Sequence, residues 1–277
     1  MILLALLIAV AAPGPAEIEA AAPPAAWRSI APENLLIMET AVGSMVIELA
    51  PDFAPAHVAA IRALVAAGRF DGGAITRVQD NYVIQWAARP AAAAPKPAGL
   101  PAEYERSARG LAITALGSPD AYAEAGFSNG WPVAQDRAAK TAWLAHCYAM
   151  VGVGRDVPPD TGDGSELYAV IGHAPRHLDR NISLVGRVIE GLPEHTALKR
   201  GTEALGVYKT PAEYTAIVRI RIADATSPRF EVMDTASASF AAYKHARANR
   251  ADGFFIRPAG AVDLCNVRVP IRRVMAK

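Results

Sequence analysis

The chain has 277 residues, 52% of them hydrophobic and 20% charged. That length suits one large domain or two small ones, with enough apolar material for a real core, so wholesale disorder is excluded. With 28 basic against 27 acidic side chains, the net charge of +1 offers no attraction for nucleic acid or an anionic membrane, and two cysteines exclude a disulfide framework or a thiolate metal cage.

Ile2 to Ala12 are uniformly apolar and stop at Pro13-Gly14-Pro15. As a helix this stretch would cover about 16 Å, against roughly 30 Å of hydrocarbon. It therefore reads as the apolar part of a secretory signal rather than a span, although no Lys or Arg precedes it. A mistaken start or a buried apolar strand is the alternative. No other stretch reaches 18 apolar residues, so the processed chain is expected to leave the membrane and work outside the cytoplasm, most simply in a bacterial periplasm. In such an oxidising compartment Cys147 and Cys265 could close one long loop as a disulfide; two buried free thiols are the other reading.

Residues 13–31 are rich in Ala and Pro and read as a linker with no packing face. Leu35 to Leu49 predict two strands around Gly43-Ser44, with Met45, Ile47 and Leu49 on one face and Val46 and Glu48 on the other. In DFAPAHVAAIRALVAAG, Asp52 can cap, Pro55 suits a first turn, and Gly68 suits the position after the last. Val58, Ile61, Leu64 and Val65 fall at helical spacing between them. Further short strands are predicted at 74–79, 82–87, 147–153, 166–171 and 182–190. Residues 88–146 read as a long excursion rather than a second core. Ala216, Val218, Ile220 and Ile222 alternate with Ile217, Arg219 and Arg221 as one half-exposed strand, and a helix is predicted near 236–249. Many short strands with a few amphipathic helices point to a mainly β fold: a closed antiparallel barrel capped by helices. The divisions that follow are 1–31 as leader and linker, 32–226 as the barrel domain, and 227–277 as an extension.

Several chemical signals fail on inspection. VGVGRD at 151–156 has no third glycine and no following helix, so it is not a dinucleotide loop. His173 and His177 have helical metal-ligand spacing, but Pro175 between them disfavours the helix. Asp160, Asp163 and Glu166 lack the spacing of a calcium loop, and Ser165 is not in a nucleophile elbow. No metal or cofactor is expected.

What remains is spread over about a hundred residues. RFDGGAITRVQDNYVIQWA contains Arg77, Tyr82, Val83 and Gln85. TGDGSELYAVIGHAPRHLDRNISLVGRVIEG contains Glu166, Tyr168, His177, Leu178, Ile182 and the closing Gly186-Arg187-Val188. In order and spacing these blocks resemble the cyclophilin family of peptidyl-prolyl isomerases, where Y-D-G precedes F-H-R and G-F-x-x-Q-G-G, followed by G-S-Q-F-F, L-D-G and F-G-x-V. PDFAPAHVAAIRALVAAGRFDG is similar to the family's helix before those strands, and GLPAEYERSARG to its P-x-E segment. The resemblance covers roughly 35–224, with an insertion at about 88–146.

The resemblance implies isomerisation of X-Pro bonds in proline-containing polypeptides, with no nucleophile, metal or cofactor. It implies that Arg77 and Gln85 are catalytic, the guanidinium aimed at the prolyl nitrogen and the amide at the substrate backbone. It implies a proline pocket of Tyr82, Val83, Tyr168 and Leu178, with main-chain groups near Gly152 assisting. Departures fall within the same set. Glu166 stands where the family carries Gln, and would blunt Arg77 if the two pair. His177 replaces a Trp associated with cyclosporin binding, which implies weak inhibition, and Ile182 replaces a polar contact. Two readings follow: an isomerase acting on exported proteins, or a peptide-binding module with weak or no catalysis. The oligomeric state is not written in the sequence.

Overall fold

A computed structural model describes residues 12–89, 99–250 and 254–274; residues 1–11, on which the leader reading rests, lie outside them. Among the described residues α1 (Pro15–Ala21) and β1 (Trp27–Ser29) come first, then the hairpin β2 (Leu35–Thr40) and β3 (Gly43–Leu49). Helix α2 (Pro55–Ala66) leads to a second hairpin, β4 (Ala74–Val78) and β5 (Val83–Ala87). The short strands β6 (Arg106–Ser107), β7 (Thr114–Ala115), β8 (Glu124–Ser128), β9 (Trp131–Asp136) and β10 (Thr141–Leu144) follow. Next are β11 (Met150–Val153), β12 (Glu166–Val170), β13 (Leu184–Glu190), α3 (Leu192–Thr196) and β14 (Thr215–Ile222). The chain closes with β15 (Arg229–Met233), α4 (Ala238–Ala248) and β16 (Ile271–Val274).

Eight strands close a barrel in the order β11-β12-β5-β4-β14-β2-β3-β13, all pairs antiparallel. This is the mainly β, closed antiparallel architecture that the sequence predicts, and closure leaves the barrel no free edge. Met45, Ile47 and Leu49 of β3 point inward with Ile84, Trp86, Leu167 and Ala169, and α2 lays Val58, Ile61 and Val65 on the same cluster. The expected two-residue period of β14 does not hold. Ile217 and Ile220 are buried while Val218 is 62% exposed, because a bulge between Ile217 and Arg219 resets the alternation.

The start of α2 also differs from expectation. Asp52 does not cap it; the N-cap is Ala54, which makes no side-chain cap bond. The free amides of Ala56 and His57 donate instead to the Glu103 carboxylate, at 2.8 and 3.0 Å. An anion drawn from 46 residues downstream satisfies the helix terminus.

Two corrections concern the segments outside the barrel. The stretch 13–31 is not a linker without a packing face: β1 pairs with β15, and Ala26, Trp27 and Ile30 are buried. The 88–146 excursion does build a second core. Its strands form a sheet in the order β6-β10-β9-β8-β7, and Phe127, Val133 and Leu144 pack with Phe230, Val232, Phe240 and Leu264 from the C-terminal segment. Phe127 and Phe240 meet edge to face, ring centres 4.9 Å apart. Leu35, Ile37 and Val46, on the outer side of β2 and β3, belong to this second cluster. Both faces of β2 are therefore covered, which is why Leu35-Leu36-Ile37-Met38 reads as an unbroken apolar run.

Cys147 and Cys265 form a disulfide, linking the segment just before β11 to the C-terminal segment across 118 residues. Of the two readings open in the sequence, the bridge is the one observed. On the same side of the barrel, cross-strand neighbours Glu48 and Arg187 form a buried ion pair, with Arg187 Nε 2.8 Å from Glu48 Oε2. The guanidinium also donates to the Gly130 carbonyl at 2.6 Å and lies over the Trp131 ring. The inserted sheet thus covers this outer face of the barrel.

Candidate active site

The site lies on the outer wall of the barrel, where β4, β5, β12 and β11 run side by side. On β5, Ile84 and Trp86 face inward and leave Val83 and Gln85 outside; on β12, Leu167 and Ala169 face inward and leave Glu166 and Tyr168 outside. Tyr168 stands directly opposite Gln85 in the ladder, and Val170 opposite Val83. The strand period alone would put Arg77 on the same face as the buried Ile75. A bulge between Ile75 and Arg77 turns the arginine outward, where it pairs across the ladder with Gln85.

These residues surround a hollow of about 420 Å³. Arg77, Tyr82, Val83, Gln85, Glu166, Tyr168, Leu178 and Ile182 all line it, so eight positions singled out from the sequence converge on one place. Val83, Tyr168 and Val170 form a small apolar cluster of their own, with Tyr82 and Ile182 packed on it. The Arg77 guanidinium is held from three directions. Its Nε donates to the Leu205 carbonyl at 2.6 Å, Nη1 to Gln85 Oε1 at 2.8 Å, and Nη2 to Gln79 Oε1. Partial burial lowers its pKa, opposed by Tyr82 and Glu166. An arginine so placed remains charged at any physiological pH.

Glu166 does not pair directly with Arg77. Its Oε1 accepts from Gln85 Nε2, and the other end of the same amide accepts from Arg77. The order Glu166–Gln85–Arg77 fixes which way the Gln85 amide is turned, since the carboxylate can only accept.

Two positions expected at the site are elsewhere. Gly152 lies opposite Tyr168 in the ladder and is covered by its ring: a Cβ there would fall 2.3 Å from the tyrosine oxygen. It presents no group to the hollow, and the lining from this strand comes from Val153, then Gly154 and Arg155 just beyond it. His177 is exposed in the 3-10 turn Arg176–Leu178, which sends Leu178 toward the hollow. The histidine faces a separate hollow lined by Tyr122, Arg137 and Trp143. Neighbours on one short turn diverge in direction, and spacing within a motif does not show it.

The sequence reading also missed groups. Gln79, which holds Arg77, lies two residues beyond it, and Leu205 and Val207 reach the rim from the segment between α3 and β14. Behind the wall His146 bonds to the Tyr168 hydroxyl at 2.9 Å. The two-residue period of β11 puts Gly152 and Gly154 on the same outer face and cannot choose between them; nothing local marks Leu205 or His146. Among the described residues no group of three or more His, Cys, Asp or Glu is placed to hold a metal, and no helix is long and apolar enough to cross a membrane.

Comparison with known proteins adds a family to this geometry. The model of the family described as cyclophilin type peptidyl-prolyl cis-trans isomerase/CLD matches residues 35–222. A probable peptidyl-prolyl cis-trans isomerase of Brucella suis is 27% identical over 181 residues, covering 65% of this chain and 79% of its own. One of Brucella abortus is 26% identical over the same length. Among solved structures, that of cyclophilin AquaCyp293 from Hirschia baltica superimposes with a TM-score of 0.73 at 25% identity, covering 95% of this chain and 98% of that one. That match extends beyond the barrel to most of the added segments.

Proposed function

Because the chain belongs to the cyclophilin-type peptidyl-prolyl cis-trans isomerases, we propose that it rotates X-Pro bonds of exported polypeptides in this hollow, by favouring the twisted amide over both planar isomers. The barrier to that rotation is roughly 18–20 kcal/mol and comes from amide resonance. No bond is made or broken, so the protein has only to bind the twisted form more tightly than either ground state.

One observation carries the reading: a fixed guanidinium at the rim of an apolar hollow. Tyr82, Val83, Tyr168 and Leu178 offer a surface for the proline ring, and Arg77 sits beside it with its direction set by Gln85, Gln79 and the Leu205 carbonyl. When conjugation breaks, the prolyl nitrogen regains a lone pair, and a donor already aimed at that place stabilises it without reorganising. Each tenfold of rate needs about 1.36 kcal/mol of such selective stabilisation. Gln85, Gly154 and Arg155 line the same wall and supply hydrogen-bonding groups for the substrate backbone.

The work is assigned to the periplasm, which the Cys147–Cys265 bridge supports because disulfides persist in oxidising compartments. Fractionation of cells expressing the full chain tests this; recovery in the cytoplasm with both thiols free refutes it. The reaction itself is tested by exchange between proline isomers of a short Ala-Pro peptide, followed by NMR. Acceleration at catalytic concentrations supports the enzyme. Line broadening by binding, with no acceleration at high protein concentration, selects the peptide-binding module instead.

A further inference from the structure

We infer that His146 is a positioning residue for the reaction, holding Tyr168 as the wall of the proline hollow, and that the inserted segment anchors it there; this rests on the isomerase reading above. Tyr168 occupies the centre of the apolar wall yet carries a hydroxyl. A polar atom so buried needs a partner, and one facing the hollow would spoil the surface offered to a proline ring. The structure meets both needs by directing the hydroxyl into the wall, against His146 Nε2 at 2.9 Å.

The direction of that bond follows from the groups behind it. His146 Nδ1 lies 2.9 Å from Asp179 Oδ1. An ionised carboxylate only accepts, so Nδ1 carries the proton and Nε2 is left as the acceptor for the tyrosine. Asp179 is fixed in turn by the His146 amide at 2.9 Å and by Arg176 Nε at 2.6 Å. Arg176 donates its other two nitrogens to Asp120 at 3.0 and 3.2 Å. His146 is fully buried, and the side chains of Arg176 and Asp120 are 3% and 1% exposed. The chain of bonds runs from the hollow to Asp120, inside the insertion, and Trp143 of the inserted sheet reaches the same Asp179 carboxylate. Gly152 completes the arrangement by leaving room for the tyrosine ring. The insertion is therefore part of the site's support and not an appendage.

A double-substitution cycle separates this role from simple packing. Exchange kinetics on the Ala-Pro peptide are measured for the intact protein, His146→Leu, Tyr168→Phe and the pair. Tyr168→Phe sets its own baseline. Against the natural background His146→Leu is expected to raise KM about tenfold with a smaller change in kcat, because the wall loosens while Arg77 is untouched. In the Tyr168→Phe background the same change is expected to move KM less than twofold, there being no hydroxyl left to hold. An equal loss in both backgrounds overturns the inference and leaves His146 a packing residue. If His146→Leu does not fold, His146→Gln, which keeps an acceptor, takes its place, with KM expected within about threefold of the natural protein; a loss beyond tenfold counts against the inference. The tautomer is read without turnover: nitrogen-15 NMR is expected to show His146 protonated at Nδ1, with Nε2 shifting in Tyr168→Phe. An Nε2–H tautomer overturns the assignment even in an active enzyme. Absence of acceleration by the natural protein, with the tautomer as stated, sinks the isomerase reading and not the bond.

Discussion

Glu166 reaches Arg77 only through an intermediary: the Gln85 amide donates to the carboxylate with one end and accepts from the guanidinium with the other. A negative charge therefore stands one side chain away from the group assigned to the prolyl nitrogen. It orients Arg77 by orienting Gln85, and it also draws on the positive charge. Glu166→Gln keeps an acceptor for Gln85 and removes the charge. Such a half-exposed charge interaction is worth up to about 1 kcal/mol, so kcat/KM on an Ala-Pro peptide is expected to rise by roughly fivefold. A fall would mean that the carboxylate's orienting role outweighs its charge.

Arg77→Ala removes the guanidinium assigned to the prolyl nitrogen while leaving the barrel interior untouched, since the side chain points outward from the bulge. Loss of a preorganised donor of this kind costs about 100- to 1000-fold. The expected result is a drop of that size in kcat/KM with an unchanged circular dichroism spectrum. Arg77→Lys is expected to recover little, because one ammonium cannot bond Gln85, Gln79 and the Leu205 carbonyl in the same fork.

The Cys147–Cys265 bridge closes a long loop that contains most of the barrel's second half. Removing such a link costs about 2–5 kcal/mol. Cys265→Ser is expected to lower the urea midpoint by a corresponding amount, and the natural protein treated with dithiothreitol is expected to match it. Alkylation of both thiols without reductant would show that no bridge forms in solution.

Acid sensitivity follows from two buried histidines. Burial lowers the pKa of His146, despite the opposing pull of Asp179, with Arg176 and His177 adding to the fall. Burial likewise lowers that of His195, against its bond to the Gly191 carbonyl. Both groups bind protons more readily in the unfolded chain, where histidine titrates near 6.5. Their stabilisation is therefore complete above about pH 6.5 and is lost as pH falls, at up to about 1.4 kcal/mol per unit for each. Asp179 has the opposite history. Burial alone would raise its pKa, but His146 and Arg176 hold it below the usual carboxylate range, so its contribution fades only below about pH 4. Urea unfolding at a series of pH values is expected to show decline in these two stages. A flat profile between pH 7.5 and 5 would contradict the histidine assignment.

The sequence by itself determined the barrel and most of the site. Met45, Ile47 and Leu49 declared an inward face, Val58, Ile61 and Val65 a helix stripe, and the spacing from Arg77 to Ile182 the wall on which the hollow forms. The first two signals are local, depending on a two- or 3.6-residue period and on which side chains water repels. The site positions came from the resemblance of the motif blocks to a family, and for Arg77 the strand period alone points the other way. What only the tertiary structure decided depends on contacts between distant residues. Glu103 replaces Asp52 at the head of α2, Gly152 gives way to Gly154 and Arg155, and His177 turns from the hollow that Leu178 enters. The Ala/Pro-rich stretch, the insertion and the C-terminal segment, which look featureless one by one, bury Trp27, Phe127 and Phe240 in one shared core. None has a complete apolar face alone, and a core assembled from three partial faces has no period to read along the chain.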